Sequence, residues 1–142
     1  MDTMTSPRFS VFTHVPRPVE EVFDHIVEPG LLSSYFTSEA SGPLVVGAKV
    51  KWSWPDGQSE TVEVESVETN RSVVFTWKAF KVDTRTRVSI ALSSEENGTR
   101  VTITEEGWKD GELASAFEHC AGWQHMLLCL KARMAFGIDL RG

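Results

Sequence analysis

No stretch of this chain stays apolar for the ~20 residues that a bilayer-crossing helix needs, so no membrane span is expected. The opening MDTMTSPRFS lacks a basic segment leading into an apolar one, which gives no secretory leader and makes the cytoplasm the expected location. Cysteine is scarce: Cys120 and Cys129 are the only two in 142 residues, and in an intracellular chain they do not suggest a disulfide framework. Positive charge is scarce as well. Lys and Arg number 14 against 20 Asp and Glu, a net charge of −6, whereas nucleic-acid binding calls for a basic face that neutralises phosphates. The one basic cluster, KAFKVDTRTR, holds Lys78, Lys81, Arg85 and Arg87. Arg85 and Arg87 alternate with Thr86 and Val88, the pattern of a strand's solvated face, so no nucleic-acid partner is expected. The chain has no Ser/His/Asp set, no glycine-rich phosphate loop and no paired-acid motif. It has no repeat, low-complexity tract or linker either, so residues 1–142 read as a single domain.

What is present is ordinary composition with strong patterning. Hydrophobic residues are 41% and charged residues 24%, as in a globular chain that buries one core. RFSVFTHV alternates Phe9, Val11 and Thr13 against Ser10, Phe12 and His14, a first strand. In PRPVEEVFDHIVEP, Val19, Val22, Phe23 and Ile26 fall at helical spacing. Pro18 suits a first helical position, and Glu20 and Glu21 suit the positive end of the helix dipole. Pro29 ends that helix, and PGLLSSYF makes a second short one.

From Gly47 onward the period turns to two. AKVKWSW, ETVEVESV, VVFTWK, TRTRVSIAL and RVTITEE each alternate, separated by PDGQ, NRS and the Asn97-Gly98 hairpin signal. Consecutive strands with short turns predict an antiparallel meander. A long helix closes the chain from Leu113 to Phe136. Its main apolar stripe is Ala116, Cys120, Trp123, Leu127, Leu130 and Met134, with a second at Phe117, Ala121, Leu128 and Ala135. An arc this wide should lie lengthwise on the concave side of a sheet. The expected class is α+β: a curved antiparallel sheet wrapped around a long C-terminal helix, with two short helices after the first strand. Apolar space between helix and sheet is where small ligands bind.

Five segments in order, VEEVFDHIVEPGLLSSYF, VVGAKVKWSWPDG, VVFTWK, NGTRVTITEEGW and AGWQHMLLCLK, resemble the START-like, Bet v 1-like helix-grip superfamily (SRPBCC). Within it they are most similar to the bacterial branch related to the C-terminal domain of the activator of heat-shock-protein-90 ATPase. The resemblance runs from about Phe9 to Phe136. Phe23 stands where that branch usually has Trp, and Tyr35-Phe36 stands for Trp-Phe. It implies the helix-grip fold and a cavity. The superfamily includes lipid carriers, aromatase/cyclases and hormone receptors. A small apolar molecule is the partner it implies first, a chaperone the second, and a homodimer is left open; no cofactor is expected.

Several residues are candidates for the pocket. Trp123, Met126, Leu127 and Leu130 would supply the helix wall, with Trp52, Phe75 and Trp77 opposite and Val88 and Ile90 on the same inner face. Trp52, Trp54, Phe75 and Trp77 crowd neighbouring strands, and such rings either line a cavity or fill it. Glu105 keeps phase with Val101 and Ile103, so alternation points it inward. There it is either a polar anchor at the pocket mouth or, if the strand bulges or ends first, a rim residue. His119, Cys120, His125 and Cys129 lie within eleven residues, yet at 100° per residue one helix cannot gather all four, so no metal is expected. Cys120 should be a small buried hydrophobe, and His125 and Cys129 partly exposed. Gly122 inside the helix costs about 1 kcal/mol against Ala, which suggests close approach of a neighbouring strand or loop. An enzyme of the cyclase or dehydratase type, using Glu105 or His125 as acid/base, is the least supported class, because neither has an orienting partner visible in sequence.

Overall fold

The structure, a computed structural model, describes residues 6–142. The residue order produces one seven-stranded sheet, every neighbour antiparallel, with a long helix last. β1 (Arg8–Val15) is followed by α1 (Val19–Val27) and α2 (Pro29–Leu32). Then come β2 (Glu39–Ala40), β3 (Lys49–Ser53), β4 (Ser59–Glu68), β5 (Ser72–Lys78), β6 (Arg85–Glu95) and β7 (Gly98–Glu106), and α3 (Leu113–Phe136) closes the chain. The spatial order is β1-β7-β6-β5-β4-β3-β2. The meander from β2 to β7 is thus consecutive, and only β1 reaches across the chain, pairing with β7 in a register that runs from Arg8↔Glu106 to Val15↔Thr99. No helix of the described residues is long and apolar enough to cross a membrane.

Alternation sets the inner face. Val50 and Trp52 of β3, Val73, Phe75 and Trp77 of β5, and Val101, Ile103 and Glu105 of β7 are all buried. Arg85 and Arg87 point outward and pair with Glu63 and Glu65 on β4. On α3, Trp123, Met126, Leu127, Cys129 and Leu130 turn inward. At ~25 cal/mol per Å2 of apolar surface, full burial of each such side chain contributes about 1.5–3 kcal/mol. The second stripe behaves differently from expectation. Phe117, Ala121 and Leu128 face solvent, so the apolar arc is wider than the surface the sheet covers. Cys120 is half-buried and Cys129 fully buried, the reverse of the expected order. Cys129 lies three residues past Met126 and shares its inward side.

The hairpin at Asn97-Gly98 forms with Glu95 opposite Gly98. Asn97 takes the positive φ of 62°. Gly98 meets the backbone of β1's end: a Cβ there would collide with the Val15 carbonyl. Gly98→Ala is therefore expected to lower unfolding free energy by about 1–3 kcal/mol. Gly30→Ala on α2, where a Cβ meets nothing within 4 Å, should be neutral or slightly stabilising. Urea unfolding of both variants checks the contrast.

Candidate ligand cavity

A cavity of about 600 Å3 opens between α3 and the β3–β5 side of the sheet. Its α3 wall carries His119, Gly122, Trp123 and Met126, and the sheet side presents Trp54 and Trp77. Tyr35 and Phe36, just after α2, close one flank. Phe80 from the β5–β6 turn borders another part of the rim. The rings hold one another at contact distance. Phe36 lies 5.5 Å from Trp54, near-perpendicular, and 5.9 Å from Trp123. Trp77 stacks on Trp123 at 5.4 Å. Such pairs contribute about 0.5–1.5 kcal/mol beyond burial, so the wall is stiff before any ligand arrives. Charged groups stay at the rim: Asp56, Glu60, Lys78, Glu118 and Arg141.

Behind this wall sits Glu105, with no exposed surface. β7 continues through it, flanked by Phe9 of β1 and Val88 of β6, so the strand neither bulges nor ends before it. A buried carboxylate must be hydrogen-bonded or it is too costly to keep charged. Donors converge from three elements. Trp77 Nε1 (2.9 Å) and Thr86 Oγ1 (2.6 Å) donate to Oε2, and Trp123 Nε1 (2.7 Å) donates to Oε1. His119 Nδ1 lies 2.9 Å from each oxygen. The other ring nitrogen fixes the tautomer. The Phe80 backbone N–H donates to His119 Nε2 at 2.9 Å, and a backbone N–H has no other role. Nε2 is the acceptor, so Nδ1 carries the proton and donates it to Glu105.

The same turn is tied to α3 elsewhere. Ser115 Oγ donates to the Phe80 carbonyl at 2.7 Å and accepts from Trp108 Nε1 at 3.1 Å. At the far end, Arg141 pins the C-terminal segment to the chain after α2, donating to the carbonyls of Thr37 (2.9 Å) and Ser33 (3.0 Å). Hydrogen bonds from the Arg141 side chain and backbone hold the Asp139 carboxyl down at about 2. Burial pushes the Cys129 thiol up, and burial, then Cys129, pushes the Tyr35 hydroxyl up; that hydroxyl donates to the His25 carbonyl at 2.9 Å.

Of the residues picked from sequence, Trp77, Trp123 and Met126 line the cavity. Trp52, Phe75, Val88, Ile90, Leu127 and Leu130 are buried in the packed core beside it. Trp52 faces inward as alternation requires, but Phe36, Trp54, Phe75 and Trp77 all pack on it. Glu105 lies behind the wall, neither at the mouth nor at the rim. Gly122 approaches no strand or loop: a Cβ there meets nothing within 4 Å, because the position faces the cavity. His125 Nε2 and Cys129 Sγ lie 3.5 Å apart on α3. Trp54, one of the crowded strand rings, lines the cavity as well, and Phe36, Phe80 and His119 join it without a pocket signal in the alternation. The signal for His119 was its place four residues before Trp123, on the same helix side.

Glu105→Ala orphans all these donors at about 1–3 kcal/mol each, so a loss of about 3 kcal/mol or more is expected. Glu105→Gln, which keeps one acceptor oxygen, should cost less, and denaturant unfolding orders the pair. The Asp139 value is lowered, so its contribution is present above the ordinary 3.8 and disappears as pH falls towards about 2. Asp139→Asn is expected to be modestly less stable than wild type at pH 6, with most of that difference gone at pH 2. Unfolding curves at both pH values test this.

Residues 16–135 match the family described as Activator of Hsp90 ATPase homolog 1-like protein. No curated protein matches significantly. Among solved structures, protein SSP2350 from Staphylococcus saprophyticus is 26% identical, with a TM-score of 0.84 over 96% of this chain and 97% of that one. The Aha1 dimer from Colwellia psychrerythraea is 22% identical, TM-score 0.79, covering 92% of this chain and 98% of that one. DynU16, a protein of the dynemicin biosynthetic locus, is 24% identical at TM-score 0.83; 92% of this chain is covered, but only 48% of DynU16. With the family match spanning most of its length and the helix-grip architecture in place, the chain belongs to the Activator of Hsp90 ATPase homolog 1-like family.

Proposed function

We propose that this protein binds a small apolar or aromatic molecule in the cavity between α3 and the sheet. The observation that carries this reading is the cavity itself, about 600 Å3 and walled by Phe36, Trp54, Trp77, Trp123 and Met126. That volume falls within the ~300–1,000 Å3 range of ligand sites, which are mainly apolar with few polar groups. The aromatics that crowd the strands pack against one another and leave the space open. Glu105 supports binding over catalysis through that residue: its oxygens are all engaged and it has no exposed surface, so it orients the indoles.

Gly122 gives the most direct test. Its missing side chain leaves room in the wall at a cost of about 1 kcal/mol relative to Ala. Gly122→Ala is expected to raise stability by about that amount, since a Cβ meets no neighbour. Gly122→Leu should fill the space and abolish ligand binding with the fold retained. Native mass spectrometry of the wild type, beside a denatured control, looks for a retained small molecule. Tryptophan fluorescence titration with apolar aromatic compounds then compares the variants. Equal binding by wild type and Gly122→Leu would sink the reading.

A second reading, an interaction module for a chaperone or another copy, is favoured by the family and by the outward apolar residues of α3, Leu113, Phe117 and Leu128. A purified protein that binds no apolar probe but recovers a chaperone in a pull-down would favour it.

A further inference from the structure

The charge around the cavity is unevenly compensated, and that asymmetry selects a ligand class. Glu105 receives hydrogen bonds from two indoles, a hydroxyl and a singly protonated imidazole. The donors solvate its charge without neutralising it. Among the described residues no Lys or Arg pairs with it. A hydrogen-bonded carboxylate with no Lys or Arg partner therefore sits behind Trp77 and Trp123, which line the cavity. In a low-dielectric interior such a charge is felt several ångströms away. Donating the indole N–H to an anion also shifts electron density into the ring, which deepens the negative face that attracts cations.

The mouth has the same sign. Glu118 is paired with Lys81 at 3.3 Å, and Arg141 is held by Asp139 and by carbonyl groups. Those charges are satisfied within the protein. Asp56 accepts the Gln58 backbone N–H, and neither it nor Glu60 has a cationic partner among the described residues. Lys78, also at the rim, has no carboxylate partner among the described residues, its Nζ lying 3.5 Å from the Ala79 carbonyl. Asp56, Glu60 and the buried Glu105 thus stand against Lys78 alone.

The geometry points to an organic cation as the ligand: an amine or quaternary ammonium with an apolar body, its charge held between the aromatic wall and the carboxylates of Asp56 and Glu60. An anionic headgroup would meet repulsion from the same groups. The inference rests on the cavity being a ligand site, and names what that site selects.

The test uses a matched pair, benzyltrimethylammonium and its neutral carbon isostere neopentylbenzene, titrated into the full-length protein by tryptophan fluorescence and calorimetry. The cation is expected to bind at least tenfold more tightly. In the double variant Asp56→Asn with Glu60→Gln, both on the rim, that ratio should fall at least threefold while neutral affinity stays within twofold. Circular dichroism confirms the variant's fold. Neutral binding equal to or tighter than cation binding overturns this inference and leaves the ligand-cavity reading standing. A ratio undiminished in the double variant also overturns it. Failure of both probes overturns the cavity reading and this inference together.

Discussion

Burying one carboxylate without a counter-ion is the constraint around which the protein is arranged. An ionised group of that size costs several kcal/mol to remove from water, and only well-aimed donors offset it. Here β5 supplies the Trp77 indole, β6 the Thr86 hydroxyl, and α3 both His119 and Trp123. The donors thus come from three separate elements. The carboxylate can be satisfied only when β7 is in register between β1 and β6 and α3 is docked across the inner face. Hydrogen-bond geometry thereby fixes a helix position that hydrophobic packing alone would leave able to slide.

That fixed position is what turns packing into a cavity. An apolar helix on an apolar sheet would collapse into full contact, because close packing maximises dispersion. Trp77 and Trp123 are instead held with their nitrogens turned towards Glu105. Their rings stack on each other, and Phe36 and Trp54 build outwards from them. Gly122 withholds a side chain at a place on the helix where it would enter the space. His119 extends the same frame to the β5–β6 turn through the Phe80 N–H.

The elements were readable because each obeys one period over a long enough stretch. α3 spans Leu113–Phe136, as its apolar spacing predicts. Glu105 was placed on the inner face by its phase with Val101 and Ile103. The cavity residues were harder for a physical reason. Alternation separates inside from outside, but it does not separate the part of the inner face that the helix covers from the part it leaves open. Phe75, Val88 and Ile90 lie under cover; Trp54, beyond Trp52, borders the gap. Gly122 shows the same limit, since a helical period marks its direction and not what stands there. The role of His119 depends on Phe80, 39 residues away in sequence, and no local pattern contains that pairing. The second stripe of α3 misled because an apolar side chain carries no label for what it faces.

The pairing of β1 with β7 orders events in time. Arg8 and Glu106 are 98 positions apart, so β1 must wait during synthesis for β7, the last strand of the sheet. Closing so long a loop is entropically costly and slows folding relative to local pairing. In the interval the inward side of β1, with Phe9 and Val11, has no sheet to join, and the β2–β7 meander lacks its edge strand. α3 emerges later still, carrying one wall of the cavity and half the donors to Glu105. A nascent chain therefore passes through a stage with an unpaired strand, an open apolar sheet and a buried-to-be carboxylate still in water, and it gains its pocket only with the final helix.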